Sequence, residues 1–243
     1  MLAVLAAAGV AWALEVVRQL TAGHDHRLLD HPTPTVVADL AAGWTLMVVA
    51  MMLPPALPLL DLVRGLVQRR RRGRRLVALA AAVVVGLWLA VGAALLLADA
   101  GLHDLSHRVP ALGAHPTLIP ALGLAGTGAY QLSELKERCL RACRSPRGFA
   151  LRHWQGRRPA WRETAALAGD YALSCLGCCW ALMALLFAVG SGWLGLAAMV
   201  ALSLLMAAER LAPWGLRLAR PTGLAALAGG TGLLLATALP LLR

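Results

Sequence analysis

Charge is scarce in this sequence. Only 14% of its 243 residues are Asp, Glu, Lys or Arg, against about 25% in a soluble domain. The hydrophobic fraction is 59% and the mean hydropathy +0.68, so an ordinary soluble globule is excluded. Phe and Tyr are scarce, two of each, and eight Trp supply the remaining aromatics. Missing too is the apolar–polar alternation over roughly ten residues that a transmembrane β-barrel needs. The N-terminus shows neither a basic leader nor a small-residue cleavage pattern, so the stretch from Leu2 onward is expected to be retained as a first span. The glycines at 126 and 128 follow no strand and make no nucleotide fingerprint. No ATPase module and no catalytic constellation is visible, which weighs against an enzyme.

What the sequence does contain is seven apolar runs, at about 2–20, 36–60, 76–98, 116–134, 164–189, 192–208 and 221–242. Each approximates the roughly 20 residues that cross about 30 Å of hydrocarbon as a helix. Leu and Ala, which dominate them, favour helix. The expected fold is an all-α, polytopic transmembrane helix bundle, with residues 1–243 forming a single integral membrane domain. It has about seven spans, or six if the Gly-rich last run is dropped.

The net charge is +11, yet nucleic acid is not the expected partner, because the basic residues sit in short loops between apolar runs. Loops 61–75, 135–163 and 209–220 hold 19 of the 23 Lys and Arg. With seven spans all three fall on one side, which the positive-inside rule makes the cytoplasm. The N-terminus is then cytoplasmic and the C-terminus outside. The run from Arg69 to Arg75 reads first as a topology determinant, and only second as a site for anionic lipid or nucleic acid. On the outer side fall His24, His26, His103 and His107, in the spacings His-x-His and His-x3-His. Imidazole is a common ligand of Cu, Zn and Ni, so these four are candidates for outer capture of a metal ion.

Sulfur is concentrated inside the spans. Cys175, Cys178 and Cys179 share one face of a helix, and Met183 continues it one turn on. Thiolate and thioether together select Cu(I) and similar soft ions. Zinc is the other metal these donors allow, although structural zinc sites normally draw four ligands from loops. The second span offers Met47, Met51 and Met52, followed by Pro54 and Pro55, which should kink or break it near Leu53. Counted from the outer ends, Met47 and Cys178 lie at similar depth near the midplane. At the inner mouth, Cys139 and Cys143 share a helix face among arginines, an arrangement suited to an inner relay for a soft metal.

These residues carry a resemblance. Ala50-Met51-Met52-Leu53-Pro54, Gly128-Ala129-Tyr130-Gln131-Leu132-Ser133 running on to Lys136, Cys139-Leu140, Cys143-Arg144-Ser145-Pro146 and Cys175-x2-Cys178-Cys179-Trp180-Ala181-Leu182-Met183 resemble the signature blocks of one bacterial family. Its members are described as predicted metal-binding integral membrane proteins, a catalogued domain of unknown function. Glu134 stands where the corresponding block would carry proline. The resemblance implies a multi-pass protein of the bacterial inner membrane that binds metal, and supplies no reaction.

The reading that unites these features is the binding and handling of a soft transition metal, Cu(I) first, at a Cys/Met site within the membrane. Handling here means transport or delivery, with the bilayer, the ion, and a metallochaperone or membrane protein as partners. One alternative is a membrane metalloenzyme or copper redox protein. Against it, no second shell of carboxylates surrounds the cysteines, and no histidine lies inside a span for haem. The other alternative is a structural or partner-binding subunit.

Overall fold

The computed structural model describes residues 2–21, 34–108, 117–189 and 192–238, and among these every regular element is helical. In chain order they are α1 (Leu2–Thr21), α2 (Pro34–Met52), a short 3-10 turn (Pro54–Ala56), α3 (Leu57–Val67), α4 (Gly73–Arg108), α5 (Leu118–Gln131), α6 (Glu134–Arg144), α7 (Arg147–His153), α8 (Ala160–Val189), α9 (Gly192–Leu211) and α10 (Gly215–Ala238). Among the described residues, four stretches are long and apolar enough to cross a membrane: Leu2–Thr21, Gly73–Ala98, Ala160–Leu186 and Gly192–Leu211. Val37–Met52 and Pro54–Val67, bent by 44° at the break between them, make a fifth if they are one span. The expected runs at 116–134 and 221–242 fall in α5, of 14 residues, and in α10.

The bend sits where the two prolines led one to expect it. Pro54 and Pro55 cannot donate to the preceding turn, so α2 ends at Met52 and a 3-10 turn takes over. The Tyr171 hydroxyl donates to the Pro55 carbonyl at 3.0 Å.

The chain divides into two compact units. The first comprises Met1–Thr21, Thr33–Ala93 and Cys139–Gly177. Its centre is built from fully buried small and aliphatic side chains, among them Val48, Ala56, Leu59, Ala80, Leu167 and Ala172. Trp44 donates its indole N–H to the Trp88 carbonyl at 2.8 Å, which a buried tryptophan needs. Gly92 leaves room for that ring, since a Cβ there would overlap the indole. Near the end of α1, Glu15 is buried and accepts from Arg18 at 2.8 and 2.9 Å and from Gln19 at 2.8 Å. Arg18 also reaches Asp39 on α2 at 3.1 Å.

Among the described residues, the second unit comprises 94–108, 117–138, 178–189 and 192–238. Here α5 and α10 pack backbone to backbone. Cβ atoms added at Gly128 or Gly230 would meet the backbone of Leu227 or Ala125 within 2.3 Å, so only glycine lets the helices approach this closely. Small residues of this kind are what bring helices together where burial from water does not drive association. Across to α8, Thr127 donates to the Ala181 carbonyl at 3.2 Å. Tyr130 meets Trp180 edge-to-face at 5.0 Å.

Candidate metal-handling site

The C-terminal half of α8 carries two adjacent cysteines whose sulfurs lie 3.2 Å apart, Cys178 and Cys179. Both are 1% exposed. A single guanidinium nitrogen, Nη2 of Arg210, donates to both, at 3.2 Å to Cys178 and 3.1 Å to Cys179. Arg210 is itself buried, in the last turn of α9. The thiolate rather than the thiol is the metal ligand, and a guanidinium between two sulfurs is a fixed counter-charge for that form.

A second buried network holds the same turn. Lys136, the only lysine of the chain, is 0% exposed. Its ammonium pairs with Glu209 at 2.6 Å and also donates to the Cys178 carbonyl. Gln131 donates to the other Glu209 oxygen at 3.1 Å. Glu209 and Arg210 are chain neighbours, so one face of α9 sends an acid to the lysine and a base to the thiols. Ion pairs this deeply buried persist when further hydrogen bonds satisfy them, and here Gln131 and the Cys178 carbonyl do so.

Lys136 and Arg210, which the sequence counts in the basic loops 135–163 and 209–220, are both buried in the fold, Lys136 on the short helix α6 and Arg210 on α9, which runs on to Leu211 rather than stopping at 208. Tyr130 meets Trp180, and Glu134 pairs on the surface with Arg138 at 2.7 Å. The signal that marks Lys136 is its singularity: one ammonium among arginines, beside an apolar run.

The remaining expected donors fall as follows. Met183 lies on α8 beyond Cys179 and is 0% exposed. Cys175, Met47, Met51 and Met52 belong to the first unit and are all buried. Of the inner pair, Cys143 is buried and Cys139 partly so, and neither these nor the other cysteines form a disulfide. Cys139 lies hard against α8, since a Cβ at Gly177 would overlap its sulfur. His103 and His107 fall in the helix α4. His24 and His26 lie outside the described residues. Among the described residues, no three His, Cys, Asp or Glu side chains come together in a group that could hold a metal ion.

The family model described as PpoB2, copper chaperone, matches residues 41–233. That range takes in Cys178, Cys179, Arg210, Lys136 and every block of the resemblance. No curated protein and no solved structure matches the chain.

Proposed function

We infer, from the premise that the chain belongs to the PpoB2 copper chaperone family, that it binds Cu(I) on thiolates within the membrane and passes it on. The observation that carries this reading is the pair of buried sulfurs 3.2 Å apart under one guanidinium. Cu(I) on two thiolates carries one net negative charge, and Arg210 cancels it. A neutral assembly is the form in which a metal site can persist in hydrocarbon, where an uncompensated charge is costly. Cys178 and Cys179 are the proposed core ligands. Met183, on the same helix and in the same unit, is the further soft donor; Cys175, Met47, Met51 and Met52 are the sequence-based candidates within the first unit. Zinc is the competing cargo and is disfavoured by the thioethers.

Cys139 supports a route for hand-over. Its sulfur packs against Gly177 of α8, and Cys143 follows one turn on along α6. We therefore assign Cys139 and Cys143 to the relay that delivers copper to, or takes it from, a soluble metallochaperone or a membrane partner. His24, His26, His103 and His107 are assigned to outer capture. The setting is the bacterial inner membrane, crossed seven times, with the cysteine relay on the cytoplasmic side.

The test is copper content and Cu(I) titration of detergent-purified protein, with Cys175→Ser/Cys178→Ser/Cys179→Ser as comparison. Roughly stoichiometric copper in the wild type, lost in the triple variant, is the expected result. Equal copper in both, or none in a folded wild type, would remove the thiol site and leave a structural subunit as the better reading.

A further inference from the structure

Four guanidiniums crowd the mouth of one apolar helix. Arg70, Arg71, Arg72 and Arg75 lie where the chain turns from α3 into α4, and they line an open groove of about 490 Å³. All four are exposed, and none pairs with a carboxylate among the described residues. The backbone holds them together: consecutive tight turns join Arg70 to Val67, Gly73 to Arg70 and Arg75 to Arg72 at 2.9–3.0 Å. Like charges fixed this closely repel unless a counter-ion settles among them.

The other wall of the groove is apolar. Leu76 and Leu79 stand on the first turns of α4, and Trp161 faces them from the start of α8. Those turns belong to Gly73–Ala98, one of the stretches fit to cross a membrane. Two aromatic rings carry stacked guanidiniums beside it, Arg70 over Trp154 at 5.4 Å and Arg162 over Trp161 at 5.1 Å. Tryptophan and arginine together mark the headgroup level of a bilayer. The groove is thus cationic at its wet end and apolar where it runs down the span.

We propose that this groove binds an anionic phospholipid, with its phosphodiester among the arginines and its acyl chains along Leu76 and Leu79. The headgroup class is one without a compensating ammonium, as in phosphatidylglycerol or cardiolipin. Basic clusters directly beside a span recognise such lipids, and the guanidinium fork suits a phosphate better than a point charge does. A soluble phosphate would leave the leucine wall without a role. A nucleic acid would need the basic surface to extend away from the membrane. This inference does not depend on the copper site.

The experiment is lipid retention by the full-length protein, read by native mass spectrometry after titration with phosphatidylglycerol or phosphatidylcholine. Wild type is expected to retain phosphatidylglycerol selectively. Arg71→Gln/Arg72→Gln/Arg75→Gln should weaken that retention by about tenfold or more, since each surface charge beside anionic lipid contributes several-fold. Arg147→Gln/Arg217→Gln/Arg220→Gln removes as many charges elsewhere and should change it by less than about threefold. Because loop arginines also set orientation, Leu76→Ser/Leu79→Ser serves as a charge-preserving variant and should weaken phosphatidylglycerol retention as well. Equal retention of both lipids, or equal loss in the control variant, overturns the proposal. Displacement of the lipid by glycerol phosphate alone reassigns the groove to a free phosphate, and displacement by a short RNA reassigns it to nucleic acid.

Discussion

Arg210 changes what two neighbouring thiols can do. Adjacent cysteines on a helix are more often small hydrophobes than ligands, but a hydrophobe has no use for a buried guanidinium. A hydrogen bond to a charged group contributes about 1.5–3 kcal/mol, and about 1.4 kcal/mol is tenfold in affinity. Arg210→Gln should therefore weaken Cu(I) binding by roughly ten- to a hundredfold, measured anaerobically in competition with a chromogenic Cu(I) chelator. Arg210→Lys keeps the charge but not the planar group that reaches both sulfurs, and should fall between. Unchanged affinity in Arg210→Gln would remove the arginine from the site. Gly177 makes a separate prediction. Its missing Cβ is the space that the Cys139 sulfur occupies, so Gly177→Ala should leave bound copper near the wild-type amount while slowing its release to a thiol acceptor. If both stay at wild-type values, Cys139 is a packing residue and not a relay.

At the scale of elements, the helices of the second unit are joined by two different devices, each with its own signature. Between α5 and α10 the device is the absence of side chains. Gly128→Ala and Gly230→Ala force a methyl into neighbouring backbone, and overpacking of this kind costs about 1–3 kcal/mol. Gly126→Ala and Gly232→Ala meet nothing within 4 Å and should be neutral or slightly stabilising, since Ala is the better helix former. Thermal unfolding in detergent distinguishes the two pairs, and equal behaviour would mean that the helices do not pack this way. Between α6 and α9 the device is the Lys136–Glu209 pair. Lys136→Met leaves a buried carboxylate and should cost about 3–5 kcal/mol, whereas Lys136→Met/Glu209→Leu should recover much of it. No recovery in the double variant would show that the lysine's bond to the Cys178 carbonyl matters more than the pair. The helical character of the chain and the break at Pro54 and Pro55 were legible in the sequence, but the span count was not: neither α5, of 14 residues, nor α10 is among the stretches long and apolar enough to cross a membrane. The cysteine face of α8 was legible too, since spacing on a helix fixes it. Lys136, Glu209 and Arg210 were not. Each sits at the end of an apolar run, where the sequence reads the same whether the side chain reaches outward to headgroups or turns inward to a partner. Only the packing of α6 and α9 decides between those.

At the scale of the whole molecule, the proposed function depends on which side each end of the proposed copper route opens to, and charge is the only term in the sequence that sets this. Nineteen of 23 basic residues lie in three loops, and every arginine moved to the outer face would oppose the rule that retains Lys and Arg in the cytoplasm. Epitope tags inserted in the full-length protein beside Arg71, Arg157 and Arg217 should therefore all be accessible only from the cytoplasmic side. A tag at the C-terminus tests a different quantity, the number of spans. With seven crossings it is exposed outside, opposite the N-terminus. With six, α10 does not cross and the tag lies inside, while the first three sites are unchanged. α10 begins with Arg217 and Arg220 and has Pro221 within it, so its first turns are its least membrane-like part, and its crossing must rest on the apolar stretch that follows. A C-terminal tag found inside would make α10 a helix held to α5 by its glycines alone, and would leave the cytoplasmic placement of Cys139 and Cys143 untouched. A tag beside Arg157 found outside would instead reverse the relay, putting those two thiols in the compartment assigned to the histidines, and the delivery route proposed here would have to be abandoned.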